Sequence, residues 1–327
     1  MTNRPRIALT LGDPAGIGPE LAAKLMSRPE NRRAARILLL ADRSELEAAA
    51  AQAQVDVPPI GADLEDGIVL LDDGSAPTEP IELGVVSEAA GARVKHQLLR
   101  ALALVNEGEA DAIVFAPLNK TSLHLAGMNH EDELRWFAEE LGYTGTTSEL
   151  NILDGLWTAR VTSHVGIQDV AALVTQERVV AAIELLHGVL RDSGLASPRL
   201  GVAALNPHNG ENGLFGRQEI EVIRPGVEEA KDSGIDVDGP LPADTIFLQR
   251  DRFDGIVTMY HDQGQIAMKL LGFEGGVTVQ GGLPVVIATP AHGTAFGIVG
   301  ENVADLTSTQ NAFDVAVAVA SSRASGS

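Results

Sequence analysis

The chain has 327 residues and a formal net charge of −21, with 45% apolar and only 4% aromatic residues. That acid excess argues against a surface that grips nucleic acid or an anionic bilayer, either of which needs a basic stripe. Cysteine is absent, which excludes disulfides, thiolate nucleophiles and iron–sulfur clusters, so any metal must be held by histidine and carboxylate. The length exceeds that of a usual single core, so two lobes are expected. The opening residues carry one short apolar run without a signal-peptide pattern. No stretch approaches the ~20 apolar residues of a membrane helix, so a cytoplasmic location is expected.

Arg6 to Leu11 reads as a strand, followed by a glycine-rich turn, GDPAGIGPE, and a helix with Pro19 in its first turn. Glycines 12, 16 and 18 do not have the dinucleotide-fingerprint spacing. The turn is either an ordinary strand-to-helix connection or one that brings backbone close to a ligand, with Asp13 as a polar anchor. ARILLLADRSELEAAA gives a second strand and a helix starting near Asp42 or Ser44, and residues 53–85 read as loops and short strands. Ser87 is expected to cap a helix from Glu88 to Asn106, with Val94, Leu98 and Ala101 on its inner face and His96 on its flank.

Asp111 to Ala116 is a strand that leads into Pro117-Leu118-Asn119-Lys120. His130-Glu131-Asp132-Glu133 precedes a helix with Trp136 and Phe137 inward. The acids there complement a helix dipole, whereas His130 has no structural role that the pattern supplies. Amphipathic helices are expected over Thr175 to Arg191 and near Gln218 to Lys231. Asp244, in GPLPADT, is either a helix cap or a carboxylate serving a site. His292-Gly293-Thr294-Ala295 opens a turn with free amides, an Ala/Val helix follows from Asn311 to Ala320, and the ASSRASGS tail is expected to fray.

The stretch from Asp254 to Phe273 carries the sharpest signal. Ile256, Val257, Met259 and Tyr260 form a buried parallel strand that stops at His261-Asp262-Gln263-Gly264. Ligands of open α/β sheets bind beyond the carboxyl ends of strands. ARVTSHV likewise ends at His164 and RLGVAALNPHNGE at His208, so three imidazoles, a common ligand type for zinc-like metals, stand at matching positions. One such histidine alone is more often a loop residue with an ordinary hydrogen bond, and the spacing by itself is no metal motif.

GDPAGIGPE, APLNK, NPHNGE, GPLPADT, MYHDQG followed by Lys269, and GLP…HGTA resemble, in order, the motifs of the 4-hydroxythreonine-4-phosphate dehydrogenase family. That family belongs with the isocitrate- and isopropylmalate-type dehydrogenases. The resemblance implies two α/β/α lobes around a central cleft, a nucleotide-binding lobe from 1–130 and 276–327 and a metal, substrate and dimerisation lobe from 131–275. It implies a homodimer with shared active sites, and a divalent ion (zinc, magnesium, manganese or cobalt) on His164 and His208 of one subunit and His261 of the other. The reaction implied is NAD-dependent oxidation of a secondary alcohol β to the carboxylate of a small anionic hydroxy acid, with decarboxylation following. Lys120 and Asp244 are then the candidates for proton transfer or support of the metal ligands. His130, Glu131, Lys269, Thr278 and Ile287 occupy substrate positions, and Asp13 with His292, Gly293, Thr294 and Ala295 occupies cofactor positions.

The sequence departs from the family at informative places. Ala291 stands where the family commonly has Asp, Glu131 where it has Thr, and Thr278 and Ile287 where it has Asn and Arg around the phosphate. Lys269 remains, and Arg135 is the nearby basic residue that could replace a lost contact. These departures predict weak binding of the phosphorylated substrate and a preference for another tail, as in the family's dihydrodiol dicarboxylate dehydrogenases. A ligand-binding relative without turnover and a hydrolase using a metal-activated water are the readings from other classes. NAD is expected over NADP, because the sequence near His292 offers no basic pair for a 2′-phosphate.

Overall fold

Apolar runs of four or five residues make the strands, and helices cover them. A computed structural model describes residues 4–61, 67–272 and 274–326; Phe273, at the end of the stretch read above, lies outside them. The chain divides into two compact units, one of residues 1–144, 274–278 and 283–327, the other of residues 145–273 and 279–282.

The first unit contains β1 (Arg6–Thr10), α1 (Gly18–Ser27), α2 (Pro29–Ala34), β2 (Arg36–Leu40), α3 (Arg43–Ala53), β3 (Ile68–Leu70), α4 (Glu88–Asn106), β4 (Ala112–Phe115), α5 (Lys120–Leu125) and α6 (Glu133–Glu140). Its strands run in the order β3-β2-β1-β4 and continue to β11 (Val286–Pro290), all pairs parallel. Sheet residues such as Ile7, Leu9, Ile37, Leu39, Ile113 and Val114 are fully buried, as a sheet covered on both faces requires. Ser87 caps α4 through the N–H of Ala90, and Val94, Leu98 and Ala101 face inward as their spacing predicts. Asp42, rather than Ser44, caps α3 and forms a capping box with Glu45. Arg93 on α4 is buried and paired with Asp42 at 3.3 Å and with Glu45, so one guanidinium joins α4 to the start of α3. Trp136 and Phe137 fill the core beside Phe115, with ring centres 5.2 and 5.8 Å apart in tilted pairs.

The last helix, α12 (Thr307–Gly326), corrects the sequence reading of a frayed tail. Ser321 to Gly326 continue the helix, held by a hydrogen bond from Ser325 to the Ser321 carbonyl and one from Arg323 to the Pro284 carbonyl. Serine at a helix end is only mildly unfavourable, and these bonds hold it there.

The second unit contains β5 (Ser148–Leu153), β6 (Leu156–Arg160), α7 (Ile167–Leu173), α8 (Gln176–Asp192), β7 (Leu200–Ala203), α9 (Arg224–Asp232), β8 (Val237–Leu241), α10 (Ala243–Ile246), β9 (Gly255–Thr258) and α11 (His261–Leu271). β10 (Val277–Gly281) belongs to it from Val279 onward. Strand order is β5-β6-β9-β7-β8; β5 and β6 form an antiparallel pair, and β6, β9, β7 and β8 are parallel neighbours. The helix expected near Gln218 to Lys231 is present in two parts, a π turn over Glu219–Ile223 running into α9. Three adjacent parallel strands, β6, β9 and β7, therefore end at His164, His261 and His208, which places the three imidazoles at one end of this sheet.

Candidate active site

His261 is the first residue of α11, and its Nδ1 lies 2.7 Å from the Asp262 carboxylate. A carboxylate can only accept, so in the neutral ring Nδ1 carries the proton and Nε2 is left as the nitrogen a metal would use. The His164 ring lies 5.8 Å from the His261 ring, centre to centre, within one chain. Two imidazoles on one tetrahedral ion, at metal–nitrogen distances of about 2.0–2.1 Å, have ring centres about 5 Å apart. The pair and its donor chemistry thus fit a single zinc-like ion.

His208 is held differently. It begins a run, His208 to Asn212, in which every residue has positive φ, from 43° to 75°. Such a left-handed turn is unusual for residues with a Cβ. Buried Glu219 sustains it, accepting the N–H groups of Leu205 and Asn206 at 2.9 and 2.7 Å and the Asn206 amide at 3.0 Å. Gly210 sits against this carboxylate, where a Cβ would come 2.6 Å from Glu219 Oε2. Asn209 donates to the Pro240 carbonyl at 3.0 Å, and the His208 ring lies 6.3 Å from that of Phe215.

Polar side chains that sequence reading passed over fix these strand ends to one another. Gln263 accepts from Met259 N–H at 2.7 Å and donates to the Ala204 carbonyl at 2.8 Å, joining the ends of β9 and β7. Thr162 donates its hydroxyl to the Met259 carbonyl at 2.8 Å, joining the His164 loop to β9. Arg160, 6% exposed at the end of β6, donates Nε to Ser163 at 2.9 Å and one Nη to Asn151 at 3.0 Å, and its other Nη pairs with Glu149 at 2.5 Å. Asn151 also accepts from Gln265 of α11 at 2.5 Å. The only sequence signal for Arg160 was a cation ending an otherwise apolar strand.

In the first unit the GDPAG and HGTA turns pack on each other. Ile17 N–H donates to the Thr294 carbonyl at 3.1 Å, and a Cβ on Gly16 would lie 2.8 Å from the Thr294 Cβ. Ala295 is left-handed at φ 45°, Gly293 is exposed with open space around it, and His292 Nδ1 lies 3.1 Å from the Gly293 carbonyl. Exposed backbone of this kind fits the phosphate-bearing part of a dinucleotide. Asp13 is not a projecting anchor. It is fully buried, with Oδ1 accepting from Ala15 N–H at 2.8 Å, its own N–H donating to the Pro117 carbonyl, and Oδ2 without a hydrogen-bond partner among the described residues. Burial pushes its carboxyl up from the usual aspartate range, against the Ala15 hydrogen bond.

A cavity of about 290 Å³ in the same unit is lined by Lys120, His124, His130, Glu131 and Glu133. Lys120 begins α5, with Nζ 3.5 Å from Glu133, and His130 pairs with Glu139 at 2.7 Å. That pairing ties the His130 ring to α6 at the lining of the cavity, a contact its sequence position did not reveal. Glu131 is exposed at the rim. Among the other candidates, Lys269 is exposed on α11, Asp244 is exposed in the first turn of α10, and Thr278 is half-buried on β10. Ile287 is fully buried, paired with Ile113 in the sheet, and has no surface to offer a substrate.

Residues 33–316 match the family described as pyridoxal phosphate biosynthetic protein PdxA. The chain is 53% identical over 323 residues to a putative 4-hydroxythreonine-4-phosphate dehydrogenase 2 of Pseudomonas aeruginosa, covering 95% of this chain and 96% of that one. It is 39% identical to a D-threonate 4-phosphate dehydrogenase of Cupriavidus necator, covering 92% and 93%. A solved 4-hydroxythreonine-4-phosphate dehydrogenase from Burkholderia phymatum superposes with a TM-score of 0.81 at 36% identity, covering 97% and 98%. A terephthalate 1,2-cis-dihydrodiol dehydrogenase from Burkholderia xenovorans does so at 0.69 and 30%, covering 94% and 98%.

Proposed function

Because the chain belongs to the PdxA family, we propose that it is a metal- and NAD-dependent dehydrogenase of a small phosphorylated hydroxy acid, oxidising the secondary alcohol β to the carboxylate, with loss of carbon dioxide following. The observation that carries the metal part of this reading is the His164–His261 pair at 5.8 Å, one imidazole already oriented by Asp262. When bound, the ion would polarise the alcohol oxygen and NAD would accept the hydride. His164, His208 and His261 are the proposed ligands of the ion. Lys120, whose Nζ lies 3.5 Å from Glu133, is the proposed proton carrier, and exposed Asp244 is the carboxylate assigned to assist it.

The 292–295 turn is the proposed seat of NAD, and the substrate carboxylate and tail fall to His130, Lys269 and Thr278. Relatives named for 4-hydroxythreonine 4-phosphate and for D-threonate 4-phosphate rank a phosphorylated four-carbon acid above an unphosphorylated one. The changes at Glu131 and Thr278 are then adjustments of how that phosphate is held, with Lys269 as its cation, while Ile287 stays in the core. Exposed Val165 and Ile167 beside His164, Leu214 and Phe215 after His208, and Ile266 and Leu270 on α11 support self-association of the second unit.

Reduction of NAD, followed at about 340 nm where reduced nicotinamide absorbs, tests the proposal with both phosphorylated acids, their dephospho forms and a dihydrodiol dicarboxylate. One phosphorylated acid should reach a kcat/KM on the order of 10⁴ M⁻¹s⁻¹ or above, with NAD at least tenfold better than NADP. Turnover of the dicarboxylate alone would overturn the assignment of the tail. Absence of NAD reduction with every compound would overturn the dehydrogenase reading itself.

A further inference from the structure

We infer that Arg160 is a positioning residue for the metal ligands, a buried brace that fixes the His164 loop relative to the helix carrying His261. The inference rests on the metal reading above, and it concerns a residue that the chemistry never touches. The guanidinium uses all three of its nitrogens. Nε holds Ser163, the residue before His164, at 2.9 Å; one Nη holds Asn151 on β5 at 3.0 Å; the other pairs with Glu149 at 2.5 Å. Asn151 Oδ1 is shared, accepting also from Gln265 of α11 at 2.5 Å, one turn on from His261. A continuous polar path therefore runs from Ser163 through Arg160 and Asn151 to Gln265.

The location makes this more than a surface ion pair. The Arg160 side chain is 4% exposed and that of Glu149 17% exposed, and a buried guanidinium needs hydrogen-bond partners and a counter-charge, which Ser163, Asn151 and Glu149 supply. Its planar fork fixes three partners in one geometry, which a flexible ammonium cannot do. Glu149 balances the positive charge, so the brace adds rigidity near a cation site without repelling a divalent ion. His261 is already oriented by Asp262, whereas Arg160 acts on His164 through the backbone of its neighbour Ser163. Groups that orient metal ligands typically change metal affinity by about 10–100-fold when removed, and that is the size of effect expected here.

The test is zinc and cobalt titration of the purified full-length protein by calorimetry, with the visible spectrum of bound cobalt and a thermal melt on each sample. Arg160→Met should weaken metal binding at least tenfold and alter the cobalt spectrum, while Arg160→Lys, which keeps only the Glu149 pairing, should fall between. Because Arg160→Met leaves Glu149 buried and unpaired, Ser163→Ala is the milder companion. It removes one hydroxyl on the loop and should weaken cobalt binding several-fold with an unchanged melt. Wild-type affinity with an unaltered cobalt spectrum in Ser163→Ala and in folded Arg160→Lys would overturn the brace. If the wild-type protein itself binds neither ion, it is the metal reading that fails.

Discussion

At the scale of single residues, Asp13 separates what a motif announces from what its side chain does. Its carboxylate is spent on the turn, capping the N–H of Ala15, and its second oxygen, fully buried, has no partner among the described residues. Burial raises its pKa in the folded protein. An acid raised on folding contributes its stability below its unfolded pKa of about 3.9 and loses it as pH rises through the higher folded value. Asp13→Asn keeps the Oδ1 acceptor, removes the buried charge and supplies a donor in place of the orphaned oxygen. We expect it to be more stable than wild type at pH 7–8 by on the order of 1 kcal/mol, and the difference to vanish near pH 4. Urea unfolding across that range measures it, and equal stability at every pH would contradict the argument.

At the scale of elements, the strand ends were legible because a short apolar run closed by His, Asp, Asn or Gly marks where a buried strand leaves the core. Ser87 and Asp42 as helix caps followed from local hydrogen-bond chemistry in the same way. The left-handed turn at His208 was not legible. Four of its five residues carry a Cβ, and the carboxylate that sustains it arrives from Glu219, beyond the reach of a local pattern. The bonds from Arg160 and Gln265 to β5 and from Gln263 to the end of β7 were missed for the same reason, since those partners lie on other strands. Ile287 shows the converse: alignment with a family position suggested substrate contact, but in this chain the side chain is core. Left-handed residues with a Cβ carry a steric cost that glycine lacks, offset partly by glycine's greater entropy loss, so Glu211→Gly should stabilise by about 0.5–1 kcal/mol. Glu219→Leu should cost about 2–5 kcal/mol, because it leaves the Leu205 and Asn206 N–H groups unpaired. Denaturant midpoints of the two variants should move in opposite directions.

At the scale of the whole molecule, the proposed metal site raises the question of which chains would supply its three histidines. The resemblance divides them between subunits, with His261 coming from the partner, yet His164 and His261 of one chain already stand 5.8 Å apart. Exposed apolar side chains flank all three strand ends, Ile167 at 72%, Leu214 at 74% and Leu270 at 83% exposure, and patches of this kind mark association surfaces. We therefore expect a homodimer whose formation buries them and completes each metal site across the interface. Subunit mixing decides between the arrangements. His208→Ala and His261→Ala should each be inactive alone, since each removes a ligand from every site. If His208 and His261 at one site come from different chains, unfolding and refolding an equal mixture creates hybrid dimers with one intact site. Random pairing then restores roughly a quarter of wild-type activity, from half the dimers each carrying one of two sites. If every site draws its histidines from a single chain, each chain in the mixture is defective and no activity returns. Recovery near a quarter, together with matching metal content, is the expected result, and a mixture as inactive as its components would place all three ligands on one chain.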